Sequence, residues 1–81
     1  MDYEKIALEI MEEIADTDEI KENMDLDLFE AGLIDSLSTI SIILLIEEKI
    51  GLVLQPTDFE RDDIATVNNF IQYLKNKNED E

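Results

Sequence analysis

A chain of 81 residues makes a single domain with a thin core, and its 44% apolar content is too high for a disordered tail. Its 22 Asp and Glu against 6 Lys and Arg leave a net charge of −16 spread along the whole length, which excludes nucleic acid and an acidic membrane surface as partners and favours basic patches on other proteins. Cys and His are both absent, which removes disulfides, thiol nucleophiles, the usual zinc ligands and the commonest general base.

Tyr3, Ile6, Ala7, Ile10 and Ile14 recur at helical spacing, so a first amphipathic helix is predicted over residues 3 to 15, ended by Asp16, Thr17 and Asp18. The stretch up to Ile34 mixes acids with Ile20, Met24, Leu26, Leu28, Phe29 and Leu33 without a clean period. It reads as a long loop pinned to the core by its apolar residues, and loops of that length usually carry function. Asp35 is a candidate N-cap for a second helix over residues 36 to 50, which Gly51 is placed to stop. Pro56 suits the first turn of a short third helix ending near Arg61, and Thr66 caps a fourth with Val67, Phe70, Ile71 and Leu74 on one face. The polar tail Lys75 to Glu81 is expected to fray, which divides the chain into a folded unit of residues 1–75 and a tail of 76–81. No apolar run reaches the roughly 18 residues of a membrane span, and the start MDYEKIALEI lacks the pattern of a signal peptide, so the expected location is the cytoplasm.

The second helix has two apolar faces. At 100° per residue, Thr39, Ile42, Ile43, Ile46 and Ile50 share one arc, the expected core face. Leu37, Ile40 and Leu44 fall on another, in company with Ser41 and Glu48. A domain this small can hardly cover both arcs. Unless loop residues such as Leu26, Leu28 and Phe29 lie over it, the second stripe is exposed as a partner-binding surface.

Catalytic and metal readings fare poorly. Twelve-residue calcium loops starting at Asp16 or Asp25 put Ile20 or Phe29 at the fifth position, and one starting at Asp58 puts Asp63 where glycine is needed and Asn69 at the close, so no metal site is assigned. With 22 acids, carboxylate pairs carry little information about general acid or base work. Ser36 lies in Ile34-Asp35-Ser36-Leu37-Ser38, without the glycines of a nucleophile elbow and with no His in the chain to take its proton. On local chemistry alone it is a helix-cap or first-turn residue, reactive only in the hands of another enzyme.

The words around it say more. Gly32-Leu33-Ile34-Asp35-Ser36-Leu37 resembles the modification motif of acyl and peptidyl carrier proteins, in which Asp-Ser-Leu or Asp-Ser-Met opens the second helix of a four-helix fold. The resemblance spans nearly the whole chain, and it implies an all-α, small four-helix bundle with a long loop between helices 1 and 2 and a short third helix. It implies a carrier and not an enzyme. A transferase would move the phosphopantetheine of coenzyme A onto Ser36, and cargo would then ride as a thioester on that arm. Asp35 would belong to the modification site as a ligand of the transferase's magnesium ion, and Leu37 and Ile40 would contact partners. The partner face would extend to Ser41, Leu44, Glu47 and Glu48, with the protein acting as a monomer.

Fatty-acid carriers usually place acids two and five residues after the motif serine, where this chain has Ser38 and Ser41, and acidic charge on its second helix is confined to Glu47 and Glu48. Two segments are instead similar to the D-alanyl carrier proteins of teichoic acid modification: Asp27-Leu28-Phe29-Glu30-Ala31-Gly32-Leu33-Ile34-Asp35-Ser36 and Phe59-Glu60-Arg61-Asp62-Asp63-Ile64-Ala65-Thr66-Val67. That resemblance implies D-alanine as cargo, an adenylating ligase that loads it and a membrane acyltransferase that unloads it. Another amino acid, and after it a fatty, polyketide or other secondary-metabolite acyl group, are the alternative cargoes within the family. Outside it stands an unmodified acidic domain that binds a basic or amphipathic helix through the exposed stripe.

Overall fold

The structure is a computed structural model and describes residues 2–80. It is all-helical: α1 (Tyr3–Ala15), a 3₁₀ turn (Glu19–Lys21), α2 (Ser38–Ile50), a second 3₁₀ turn (Pro56–Asp58), α3 (Arg61–Ala65) and α4 (Val67–Asp80). No described residue forms a strand. α1 packs against both α2 and α4, and α3 lies against α4.

Local signals account for most of the helix ends. Asp2 caps α1 by accepting the Lys5 N–H at 3.1 Å, and Asp16 ends it in the left-handed region at φ 56°, its own N–H donating to the Glu12 carbonyl. Gly51 ends α2 at φ 72°, the conformation in which a residue without Cβ has least to lose. Between α3 and α4 the extended backbone of Thr66 breaks the helix, and its Oγ1 accepts the Asn69 N–H at 3.0 Å.

The third helix falls later than the sequence predicts. Pro56 opens only a 3₁₀ turn, and α3 begins at Arg61. Asp58 takes the Gln55 N–H at 2.8 Å and Asp63 takes the Glu60 N–H at 2.9 Å, so two separate starts are capped within nine residues. Phe59 and Glu60 between them are extended, which lets the Phe59 ring stack on Tyr73 with centroids 4.6 Å apart. The fourth helix also runs on, continuing through Asp80 where a fraying tail is expected from Lys75. Its last turns stay against α1, where Asn78 Nδ2 donates to the Tyr3 hydroxyl at 2.9 Å.

The core gathers Ala7, Ile10 and Met11 of α1, Ile42 and Ile46 of α2, and Val67, Phe70, Tyr73 and Leu74 of α4. The Tyr73 hydroxyl, pushed above its ordinary pKa chiefly by burial, donates to the Asp58 carbonyl at 3.1 Å. The long loop contributes Ile20, Leu28 and Ile34 to the same core. It is also tied by backbone: the Leu28 N–H donates to the Ala65 carbonyl at 2.7 Å, and the Leu28 carbonyl accepts from Leu33 and Ile34 at 3.0 and 3.3 Å. Asn68 donates to the Met24 carbonyl at 3.1 Å. The loop's apolar residues therefore turn inward and leave the second stripe of α2 uncovered.

Candidate functional site

Ser36 lies in the turn that leads into α2. The helix proper starts two residues later than predicted, at Ser38, with Leu37 and not Asp35 at its N-cap position; Asp35 caps the turn ahead of it, its Oδ1 accepting the N–H groups of Leu37 and Ser38 at 2.9 and 3.1 Å. Ser38 returns the contact, its Oγ accepting the Asp35 N–H at 3.1 Å and donating to Asp35 Oδ1 at 3.3 Å. Asp35 Oδ2 takes no hydrogen bond from the described residues and the side chain is exposed, so one carboxylate oxygen faces outward beside Ser36. Asp35→Ala should lower stability by about 1 kcal/mol through loss of the cap, read as a drop in urea midpoint; an unchanged midpoint would remove the cap from this account.

Ser36 itself is exposed, and its hydroxyl bonds to no described protein group. It therefore plays no capping role. It sits on an open groove of 530 Å³, whose walls include Phe29 and Ile34 from the loop, Pro56 and Phe59 from the second 3₁₀ turn and its end, and Arg61 and Ile64 from α3. Those wall residues of the 29 and 59–64 regions were not legible as site residues; they meet only because the loop and α3 share a backbone bond from Leu28 to Ala65.

The partner residues expected from the sequence all reach solvent. Leu37, Ile40 and Leu44 are 79%, 50% and 59% exposed, while Ser41, Glu47 and Glu48 are exposed around them. The opposite arc is the core face: Ile42, Ile43 and Ile46 are buried, with Thr39 and Ile50 half-buried at its edges. Sequence reasoning missed one further exposed apolar side chain, Val53. The alternation Leu52-Val53-Leu54 carried the signal, since two neighbours in an extended segment that point inward send the middle one outward.

Three chemical facts follow from this arrangement. Ser36 presents an accessible hydroxyl with no base of its own. An apolar stripe rimmed by acids adjoins it on α2. Among the described residues no group of three or more His, Cys, Asp or Glu is placed to hold a metal ion. An accessible hydroxyl beside an uncovered apolar stripe suits a protein that is modified and then handed between enzymes. An exposed, unbonded serine on an open groove also fits a long covalent arm, which needs a free oxygen and room to leave the surface.

Residues 6–74 match the family described as Phosphopantetheine attachment site, and the chain belongs to it. It is a carrier protein whose prosthetic group is 4′-phosphopantetheine, and it is not itself an enzyme. The chain is 35% identical over 74 residues to the D-alanyl carrier protein of Bacillus velezensis, covering 91% of this chain and 95% of that protein. It is 39% identical over 75 residues to the D-alanyl carrier proteins of Listeria monocytogenes and Staphylococcus saprophyticus, covering 93% of this chain and 96% of each of them. No helix among the described residues is long and apolar enough to cross a membrane.

Proposed function

We propose that Ser36 is the attachment residue, that the arm carries D-alanine as a thioester, and that α2 presents Leu37, Ile40, Ser41, Leu44, Glu47 and Glu48 to the enzymes that load and unload it. The observation that carries this reading is the exposed, unbonded Ser36 hydroxyl at the foot of an uncovered apolar stripe. The cargo assignment is supported by the relatives, which are D-alanyl carrier proteins of nearly the same length. The carrier unit is residues 1–75, in keeping with a family match that ends at 74, and the polar residues beyond it continue α4 through Asp80. The protein works as a monomer in the cytoplasm, where coenzyme A is made.

In the attachment step the Ser36 hydroxyl gives its proton to a base on the phosphopantetheinyl transferase while Oγ bonds to phosphorus. The pyrophosphate P–O bond of coenzyme A breaks and adenosine 3′,5′-bisphosphate leaves. Asp35 holds the turn with Oδ1, and its Oδ2 would be the protein's ligand for the transferase's magnesium ion, which would supply charge stabilisation at the phosphate. The group supplies a thiol, which a chain without Cys cannot provide, and that thiol holds the aminoacyl cargo. An adenylating ligase loads D-alanine and an acyltransferase removes it. The excess of acids steers basic partner faces into contact, and the small apolar stripe keeps each encounter short.

The test is intact mass. Incubation with coenzyme A, magnesium and a phosphopantetheinyl transferase should add one phosphopantetheine; adding ATP, D-alanine and a D-alanine-activating ligase should then add one alanyl group. Loading by a fatty acyl donor alone would assign the chain to acyl-chain synthesis instead. Leu37→Asp should leave the unfolding midpoint within about 0.5 kcal/mol of native, because the side chain is 79% exposed, yet slow transferase and ligase engagement about tenfold or more. Equal damage to folding and loading would place Leu37 in the core.

A further inference from the structure

The groove at Ser36 is lined by one cation, Arg61, and two acids, Asp35 and Glu60. Lys21 pairs with Glu12 at 3.1 Å and Lys49 with Glu9 at 3.6 Å, whereas Arg61, like Lys5, Lys75 and Lys77, makes no ion pair with any described carboxylate in a chain of net charge −16. It also stands at the start of α3, ahead of Asp62 and Asp63, the end of a helix where a positive charge gains least. Its guanidinium instead lies over the Phe29 ring, 4.6 Å from the centroid. Phe29 is in turn fixed by its loop, its N–H donating to Asp27 Oδ1 at 3.0 Å. A planar cation is thus backed by an aromatic face in the wall of the groove where Ser36 lies, and none of its side-chain N–H groups bonds to a described protein acceptor.

We propose that Arg61, seated on Phe29, binds the phosphodiester formed at Ser36 and lays the first part of the arm along this groove. The inference rests on Ser36 being the attachment residue. A phosphodiester carries one negative charge and two unbridged oxygens, which the guanidinium fork fits with paired N–H donors. Asp35 and Glu60 repel that same anion, so without Arg61 the groove would push the arm outward. An exposed pair of this kind is weak and sensitive to salt, which suits an arm that must hold a resting position and still leave for a partner.

The experiment compares the apo and arm-bearing forms of the native protein, Arg61→Gln and Arg61→Lys by nitrogen-15 and phosphorus-31 NMR, after intact mass has confirmed one phosphopantetheine on each arm-bearing form. In the native protein the Arg61 Nε–H signal should shift when the arm is added, and the shift should collapse near 1 M NaCl, where the Debye length is about 3 Å. The phosphorus signal of Arg61→Gln at low salt should already sit where the native signal moves at high salt, with Arg61→Lys between them. An Arg61 signal indifferent to the arm, or a phosphorus signal indifferent to Arg61→Gln, overturns the inference while leaving attachment intact. Slower transferase modification of Arg61→Gln with an unaltered phosphorus signal also overturns it, and makes Arg61 a partner contact. No mass gain on the native protein overturns the attachment reading and this inference together.

Discussion

Ser36→Ala should gain no mass when incubated with coenzyme A, magnesium and a phosphopantetheinyl transferase, under conditions in which the native protein gains one phosphopantetheine. The loss is expected to be complete because the step needs an oxygen nucleophile, and alanine has none. The chain's other serines, Ser38 and Ser41, are poor substitutes. Ser38 is tied to Asp35 in both directions, and Ser41 lies a turn further along α2, away from the outward oxygen of Asp35. Stability should be nearly untouched, within about 0.5 kcal/mol, since the Ser36 side chain is exposed and bonds to no described group. A mass gain on Ser36→Ala would move the arm elsewhere; a collapse of the fold would mean that the hydroxyl does structural work not visible here.

Phe70→Ala should cost about 3–5 kcal/mol, the range for removing a fully buried aromatic ring. Phe70 is 0% exposed, the largest of the fully buried side chains, on the face of α4 that carries Val67, Tyr73 and Leu74 into the core with α1 and α2. A domain of this length has a total stability of only about 4–12 kcal/mol, so the variant stands near the edge of folding. The urea midpoint should fall by about 1 M or more. The damage should also reach the site, because one turn further along α4 the ring of Tyr73 stacks on Phe59, and Phe59 is a wall of the groove at Ser36. Attachment to Phe70→Ala should therefore recover when the fold is restored by a stabilising osmolyte. A loss below about 1 kcal/mol would show that the α1–α4 interface does not depend on this ring.

These two results bear on different levels of the molecule. On these expected results the serine is indispensable to attachment and idle in the fold, whereas the phenylalanine, buried in the core, holds the platform together. The separation is what a carrier requires: a site that many enzymes can reach must not also be a site on which the fold depends.

The sequence by itself determined the elements whose signals are local. The spacing of Tyr3, Ile6, Ala7, Ile10 and Ile14 specified α1 to the residue, and Gly51 specified the end of α2, because periodicity and left-handed caps act within one or two turns of chain. It also determined that α2 has two apolar arcs, one of which the structure buries and the other of which it leaves open. The Asp35-Ser36 site was legible only through its resemblance to a motif, since an exposed serine in a helix-leading turn has no chemistry of its own. Tertiary structure decided much of the rest. Pro56 is compatible with either kind of helical turn; the caps of Asp58 and Asp63 make two separate starts, and the stacking of Phe59 on Tyr73 holds the extended residues between them. The direction of the loop's apolar residues was open until Leu28 joined the core and bonded to Ala65, and that choice exposed the stripe on α2. The same long-range contact brought Phe29 against Arg61 and built the open groove beside Ser36, a juxtaposition of residues about thirty positions apart that no local pattern encodes.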